Sequence, residues 1–197
     1  MDKASQTLAA VQTPPLAYYQ NVGVQNKALS LKPILDSGYI SLRFNAEDET
    51  ILKTVEGILE ASFPLKIGQT FPGTTGPIIC LSPDEWALLV PSRPSDLAAR
   101  LQLALCEYPA LVVDLSDQFA VIEASGTKAW QLLQKAIPLD LQASQFKPGM
   151  AARTLAAKAG VVLYYKQDGS AYRLYTRRSF AQYLWAWLSD ASLNILE

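Results

Sequence analysis

The sequence predicts an α+β fold of two pseudo-repeated βαββα units with mostly antiparallel sheets. Three observations carry this reading. The order strand, helix, hairpin, helix occurs twice, displaced by roughly eighty residues. Each copy joins two apolar runs through a strong turn signal, Ser82-Pro83-Asp84-Glu85 in the first and Asp168-Gly169 in the second. Each copy closes on an amphipathic segment, 95–107 in the first and 179–190 in the second. Two copies are too few for a solenoid, so the expectation is one unit with helices packed on the faces of its sheets.

Taken in order, residues 1–35 read as an extended N-terminal arm. They begin polar, then carry Pro14, Pro15, Tyr18 and Tyr19, and they sustain no periodicity. Proline blocks regular pairing and favours extended backbone. Residues 36–197 read as a single domain with halves at about 36–110 and 111–197. Strand 39–44 alternates, with Ile40, Leu42 and Phe44 on one face. Asn45 to Asp48 start a helix with Ile51, Leu52, Val55, Ile58 and Leu59 inside, and Pro64 lies beyond it. Gly68 to Gly76 read as a loop, with neither P-loop chemistry nor a GxGxxG spacing. Runs 77–81 and 86–90 are strands. Pro94-Ser95-Asp96 offers a cap to the next helix.

The second copy opens on strand 111–115, a polar kink and strand 118–124, and Ser125-Gly126-Thr127 leads into a helix with Ala129, Leu132, Leu133, Ala136 and Ile137 on one side. Residues 138–150 read as irregular. Runs 160–165 and 171–176 form a hairpin. Ser179 caps a final helix with Phe180, Tyr183, Leu184, Trp187 and Leu188 at core spacing.

Composition excludes several functions. A net charge of −1 gives no field for nucleic acid or anionic lipid. No apolar run approaches the roughly 18 residues that span a bilayer, and no secretory signal pattern opens the chain. Cys80 and Cys106 read as buried small hydrophobes rather than a disulfide or reactive thiol, which favours the cytoplasm. There is no histidine. That removes the usual general base and the Ser-His and Cys-His nucleophiles, and it leaves zinc only carboxylates and two thiols.

Few residues are left to carry chemistry. Asp114, Ser116 and Asp117 at the kink suit acid–base work or a cation, but short polar side chains also satisfy backbone donors there. Arg177 and Arg178 suit a carboxylate or phosphate, or simply solvent or a partner. Tyr164, Tyr165, Tyr172 and Tyr175 crowd one hairpin, which cross-strand packing explains without a planar ligand. Trp185 projects away from the Phe180/Leu184/Leu188 stripe: an interface anchor, or a side chain packed under the arm. Pro14, Pro15, Tyr18 and Tyr19 in that arm pack on a partner or on the chain itself. These seven residues (Pro14, Pro15, Tyr18, Tyr19, Arg177, Arg178 and Trp185) form the candidate partner interface. No catalytic, cofactor or metal residue emerges.

Several stretches resemble the sarcosine oxidase gamma subunit family. They are VVDLSDQFAVIEASGTKAWQLLQKAIPLDL, the F-x-P-G turn at Phe146 to Gly149, RLYTRRSFAQYLWAWLSDA near the end, and LSPDEWALLV at 81–90. The resemblance covers about residues 36–192. It implies the folate-binding fold of aminomethyltransferases. It also implies membership in a heterotetrameric, cytoplasmic complex with alpha, beta and delta subunits. That complex oxidatively demethylates sarcosine to glycine and passes the one-carbon unit to tetrahydrofolate. FAD, FMN, NAD and tetrahydrofolate are then expected in the partner subunits and none in this chain. The transferases carry a folate-contacting acid in a hairpin whose counterpart here, Gly160 to Tyr165, has none. The expectation is thus a non-catalytic structural subunit. The alternatives are a stand-alone folate-binding aminomethyltransferase-like protein and an assembly factor that leaves the mature complex.

Overall fold

The computed structural model describes residues 13–20, 23–92 and 96–196. The first half runs β1 (Ser30–Ile34), β2 (Gly38–Arg43), α1 (Glu49–Leu59), β3 (Thr70–Gly73), β4 (Gly76–Ser82), β5 (Glu85–Val90) and α2 (Leu97–Ala104). The second runs β6 (Leu111–Asp114), β7 (Phe119–Ser125), α3 (Ala129–Ala136), β8 (Ala151–Ala156), β9 (Ala159–Tyr165), β10 (Ala171–Arg177) and α4 (Ala181–Leu196). The fold class is as predicted, and each unit is longer than read: ββαβββα rather than βαββα.

The strand order shows what the extra strands do. One sheet is ordered β3-β4-β5-β2-β6 and the other β8-β9-β10-β7-β1, antiparallel at every pair. The two orders correspond strand for strand under the pseudo-repeat. The outermost strand beside β2 is β6 and the outermost beside β7 is β1, so each half gives its first strand to the sheet of the other.

Three apolar layers follow from strand alternation. Ile40, Leu42, Trp86 and Leu88 point at α1 and α2, while Ile122, Leu163 and Leu174 point at α3 and α4. The residues between them along the strands, Tyr39, Ala87, Leu89, Val121, Val162, Tyr164 and Tyr175, meet in a layer between the two sheets. Strands covered on both faces read as nearly continuous apolar runs, which is why 77–81, 86–90 and 160–165 were legible without clean alternation.

Local chemistry sets the ends. The Asp48 carboxylate caps α1 by accepting from the Thr50 and Ile51 amides at 3.0 and 3.2 Å. Gly126 (φ +102°) opens α3 where a Cβ would lie 2.5 Å from the Ala28 carbonyl oxygen. The turn at Asn26, whose side chain accepts from the Ala28 and Leu29 amides, is thereby seated on the start of α3.

The structure corrects several expectations. The arm contains β1, because Pro33 sits on an edge strand where a missing N–H breaks no outer ladder. The Gly68–Gly76 loop contains β3, again an edge strand with a proline. The α4 core face is Ala181, Leu184, Trp185 and Leu188, whereas Phe180 and Tyr183 are exposed. Cys80 is buried as read but Cys106 is exposed, and both thiols are free. Of the cap read for α2, Pro94 and Ser95 lie outside the described residues, as do residues 1–12 of the arm.

Candidate functional site

The polar kink between β6 and β7 is a 3-10 turn, Ser116–Gln118. Its side chains serve the backbone. The Asp114 carboxylate accepts from the Ser116 amide at 2.8 Å, and the buried Ser116 Oγ accepts from the Tyr39 amide at 3.0 Å. Asp117 is likewise engaged within the chain. The kink thus ties β2 to the second half, with Asp114 and Ser116 serving backbone donors there.

The arm and the arginine pair meet at this kink. Cross-strand register sets Arg177 opposite Phe119. Its guanidinium lies 5.3 Å from the Phe119 ring centroid and donates to Gln118 Oε1 at 2.6 Å. Arg178 reaches the other way and donates to the Thr13 carbonyl at 2.9 Å. Pro15, Asp117, Gln118, Arg177, Arg178, Ser179 and Gln182 line an open groove of about 710 Å³. A smaller pocket of about 30 Å³ shares Pro15, Asp117 and Arg178 with it and is also walled by Pro14, Leu16, Ile34, Ser116 and Phe119. Among the sequence candidates, Pro15, Arg177 and Arg178 therefore share one surface and Pro14 lines the adjoining pocket. Gln118 and Gln182 were not singled out, and Ser179 was read only as a helix cap; the β7–β10 register is what brings Gln118 to Arg177.

The remaining interface candidates separate. Tyr18 is 82% exposed. Tyr19 packs on Trp185, with ring centroids 5.4 Å apart, and Trp185 is only 2% exposed. Trp185 does not project away from Leu184 and Leu188: it shares their core, and Tyr19 of the arm packs on it, so it is no free surface aromatic. Leu16 is fully buried beside it in the same core.

Two charged clusters escaped sequence reading. Glu123 is buried between Arg173 Nε at 2.9 Å and Lys32 Nζ at 3.0 Å, its direct cross-strand neighbours. Burial alone would push this carboxyl up, but the two cations outweigh it and hold it below the ordinary value. Arg153 grips the Glu85 carboxylate bidentately at 2.5 and 3.1 Å, joining β8 to β5. Beside that pair the Tyr39 phenol is pushed up to about 12 by burial, against the pull of Arg153. The ring stacks on Phe119 at 4.2 Å.

The tyrosine hairpin is structural. Tyr165 and Tyr172 stack with centroids 4.1 Å apart, and Tyr164 and Tyr175 fill the layer between the sheets. Residues 161–165 alternate between the α3/α4 core and that layer. The strand is packed on both faces, so its residues do not fit a folate. Among the described residues no three His, Cys, Asp or Glu gather as metal ligands.

Comparison with known proteins fits this architecture. The family model described as "Sarcosine oxidase, gamma subunit family" matches residues 43–194. The chain belongs to that family. It is 37% identical to a sarcosine oxidase subunit gamma of Corynebacterium sp. strain P-1 over 58% of this chain and 55% of that one, so this match spans about half of that relative. It is 29% identical to the same subunit of strain U-96 over 84% and 80% respectively. Among solved structures, the heterotetrameric sarcosine oxidase from Corynebacterium sp. U-96, in complex with pyrrole 2-carboxylate, contains a chain that superposes with a TM-score of 0.84 at 25% identity. That match covers 93% of this chain and 96% of the other. Aminomethyltransferase T of the glycine cleavage system from Bartonella henselae superposes with a TM-score of 0.66 at 14% identity, covering 91% of this chain and 57% of that protein. The chain thus shares its fold with aminomethyltransferase T.

Proposed function

We propose that this chain is the non-catalytic gamma subunit of a heterotetrameric sarcosine oxidase. It assembles with alpha, beta and delta subunits into a cytoplasmic complex that oxidatively demethylates sarcosine to glycine and transfers the one-carbon unit to tetrahydrofolate. FAD, FMN, NAD and tetrahydrofolate belong to the partner subunits, and this chain's part is assembly. The observation that carries the reading is superposition over nearly the full length of both chains, together with family membership. Two local facts support it. The hairpin at 160–165 is closed by its own core side chains, and the polar kink spends Asp114 and Ser116 on backbone donors. No helix among the described residues is long and apolar enough to cross a membrane.

The test is purification of the tagged chain from its native host under mild conditions. The expected result is co-purification with two larger chains and one smaller chain, with a flavin absorbance spectrum. A colourless chain recovered by itself overturns the reading, and saturable tetrahydrofolate binding by that lone chain would establish the stand-alone transferase-like alternative.

A further inference from the structure

Five arginines of the described residues divide by the oxygens they bond. Arg43, Arg153 and Arg173 each hold a carboxylate of the chain, on Asp84, Glu85 and Glu123 respectively. Arg177 and Arg178 instead bond to neutral oxygens, the Gln118 amide and the Thr13 carbonyl. Two exposed cations therefore line one groove. Asp117 lines the same groove and has a partner within the chain. Both guanidiniums are also held in place, one stacked on Phe119 and one tethered to the arm. The rotamer entropy that a binding event must otherwise pay is then largely spent on folding. Ser179 and Gln182 add neutral hydrogen-bonding groups to the wall. Tyr18, Phe180 and Tyr183, neighbours of these lining residues along the chain, present exposed aromatic rings. Arginine and aromatic side chains of this kind are enriched at protein interfaces and carry much of their energy.

We propose that Arg177 and Arg178 form a clamp for an Asp- or Glu-bearing segment of a partner subunit, seated in the groove between the arm, the kink and the start of α4. This rests on the subunit reading above. A planar guanidinium presents paired donors that match a carboxylate, which lysine does not. The chemistry of the groove selects that occupant: two cations that bond neutral oxygens among the described residues, beside neutral hydrogen-bonding groups, fit an acidic loop and not a basic or purely apolar one.

The experiment uses the whole complex. Arg177→Glu/Arg178→Glu and Arg177→Lys/Arg178→Lys are each co-expressed with the partner subunits and compared with wild type by affinity capture and by dissociation constant against salt. The expected result is loss of roughly a hundredfold in affinity for the charge reversal and about tenfold for the lysine pair, with a shallower salt dependence in the reversal. Because Arg177 also packs on Phe119, a second measurement leaves the sequence intact. Arg177 and Arg178 in the wild-type chain are labelled with phenylglyoxal, free and assembled, and the expected result is protection of both in the complex. Wild-type capture with equal affinity for the reversal variant, or equal labelling free and bound, overturns the clamp and leaves the subunit reading standing. Failure of the wild-type chain to capture any partner overturns both.

Discussion

Glu123 shows how much a single residue can hold. Its carboxylate is almost fully buried on β7, with a cation on each flanking strand. Removing one partner of such a cluster leaves the others desolvated without compensation. Glu123→Gln is expected to cost about 2 kcal/mol at neutral pH, the low end for buried pairs because Lys32 is half exposed. Urea unfolding of both proteins measures it. The pH dependence has a definite sign. The folded carboxyl titrates below its unfolded value of about 4.3. Between those two values the unfolded chain binds more protons, so this contribution is complete above the unfolded value and is lost as pH falls through the folded one. The gap between wild type and Glu123→Gln should therefore close in acid, and a gap that stays constant to pH 3 would remove Glu123 from the account. Ala157 is the opposite case. It sits in the two-residue turn between β8 and β9 at φ +52°, a conformation that costs an alanine about 1 kcal/mol. Ala157→Gly is expected to raise the unfolding midpoint, and a lowered midpoint would mean that the alanine methyl has a packing role.

At the scale of elements, the arm is the part whose behaviour sequence and structure describe most differently. Its proline and tyrosine content reads as extended chain, yet Leu16 is buried in the α3/α4 core and Tyr19 covers Trp185. Leu16→Ala is expected to cost about 3 kcal/mol, the price of a core leucine rather than of a tail residue. Thermal unfolding reads this directly, and a change under 0.5 kcal/mol would return the arm to the status of a loose tail. The same contrast explains what was legible. Strands β2, β4, β5, β7, β9 and β10 carry runs of Ile, Leu, Val and aromatic residues, and the turns between β4 and β5 and between β9 and β10 carry Pro-Asp and Asp-Gly signals. β1 and β3 were hidden by prolines that an edge position tolerates. β8, Ala151–Ala156, has one β-branched residue, and its turn has alanine where glycine would have announced it. The α4 stripe was misplaced because the helix is apolar nearly all round: Phe180, Tyr183, Leu184, Trp185 and Leu188 support more than one face, and only tertiary packing selects among them. The arginine pair was visible as a motif. Its groove was not, because Gln118 and Arg177, 59 residues apart in sequence, meet only through the β7–β10 register.

For the molecule as a whole, the consequence of the reciprocal strand exchange is that neither half is a folding unit. Residues 111–197 alone would lack β1, which leaves the outer ladder of β7 unpaired and withdraws Leu29 and Leu31 from the α3/α4 core. Residues 1–110 alone would lack β6 beside β2, and with it Val112. Each fragment would also expose its share of the layer between the sheets, including Tyr39, Ile79 and Leu89 from one side and Val121, Val162 and Tyr175 from the other. An unpaired edge beside an apolar sheet face is an aggregation template. The fragments 1–110 and 111–197 are therefore expected to show no cooperative unfolding when expressed separately. Co-expressed, they should recover a soluble complex that unfolds in one transition, because β1–β7 and β6–β2 pairing are then both satisfied. Cooperative unfolding of either fragment in isolation would show that the exchange decorates two self-sufficient halves. Dependence on both strands would instead make the exchange the feature that fuses two repeats into one subunit, and would fix the arm, the kink and the arginine groove in a single rigid relation to one another.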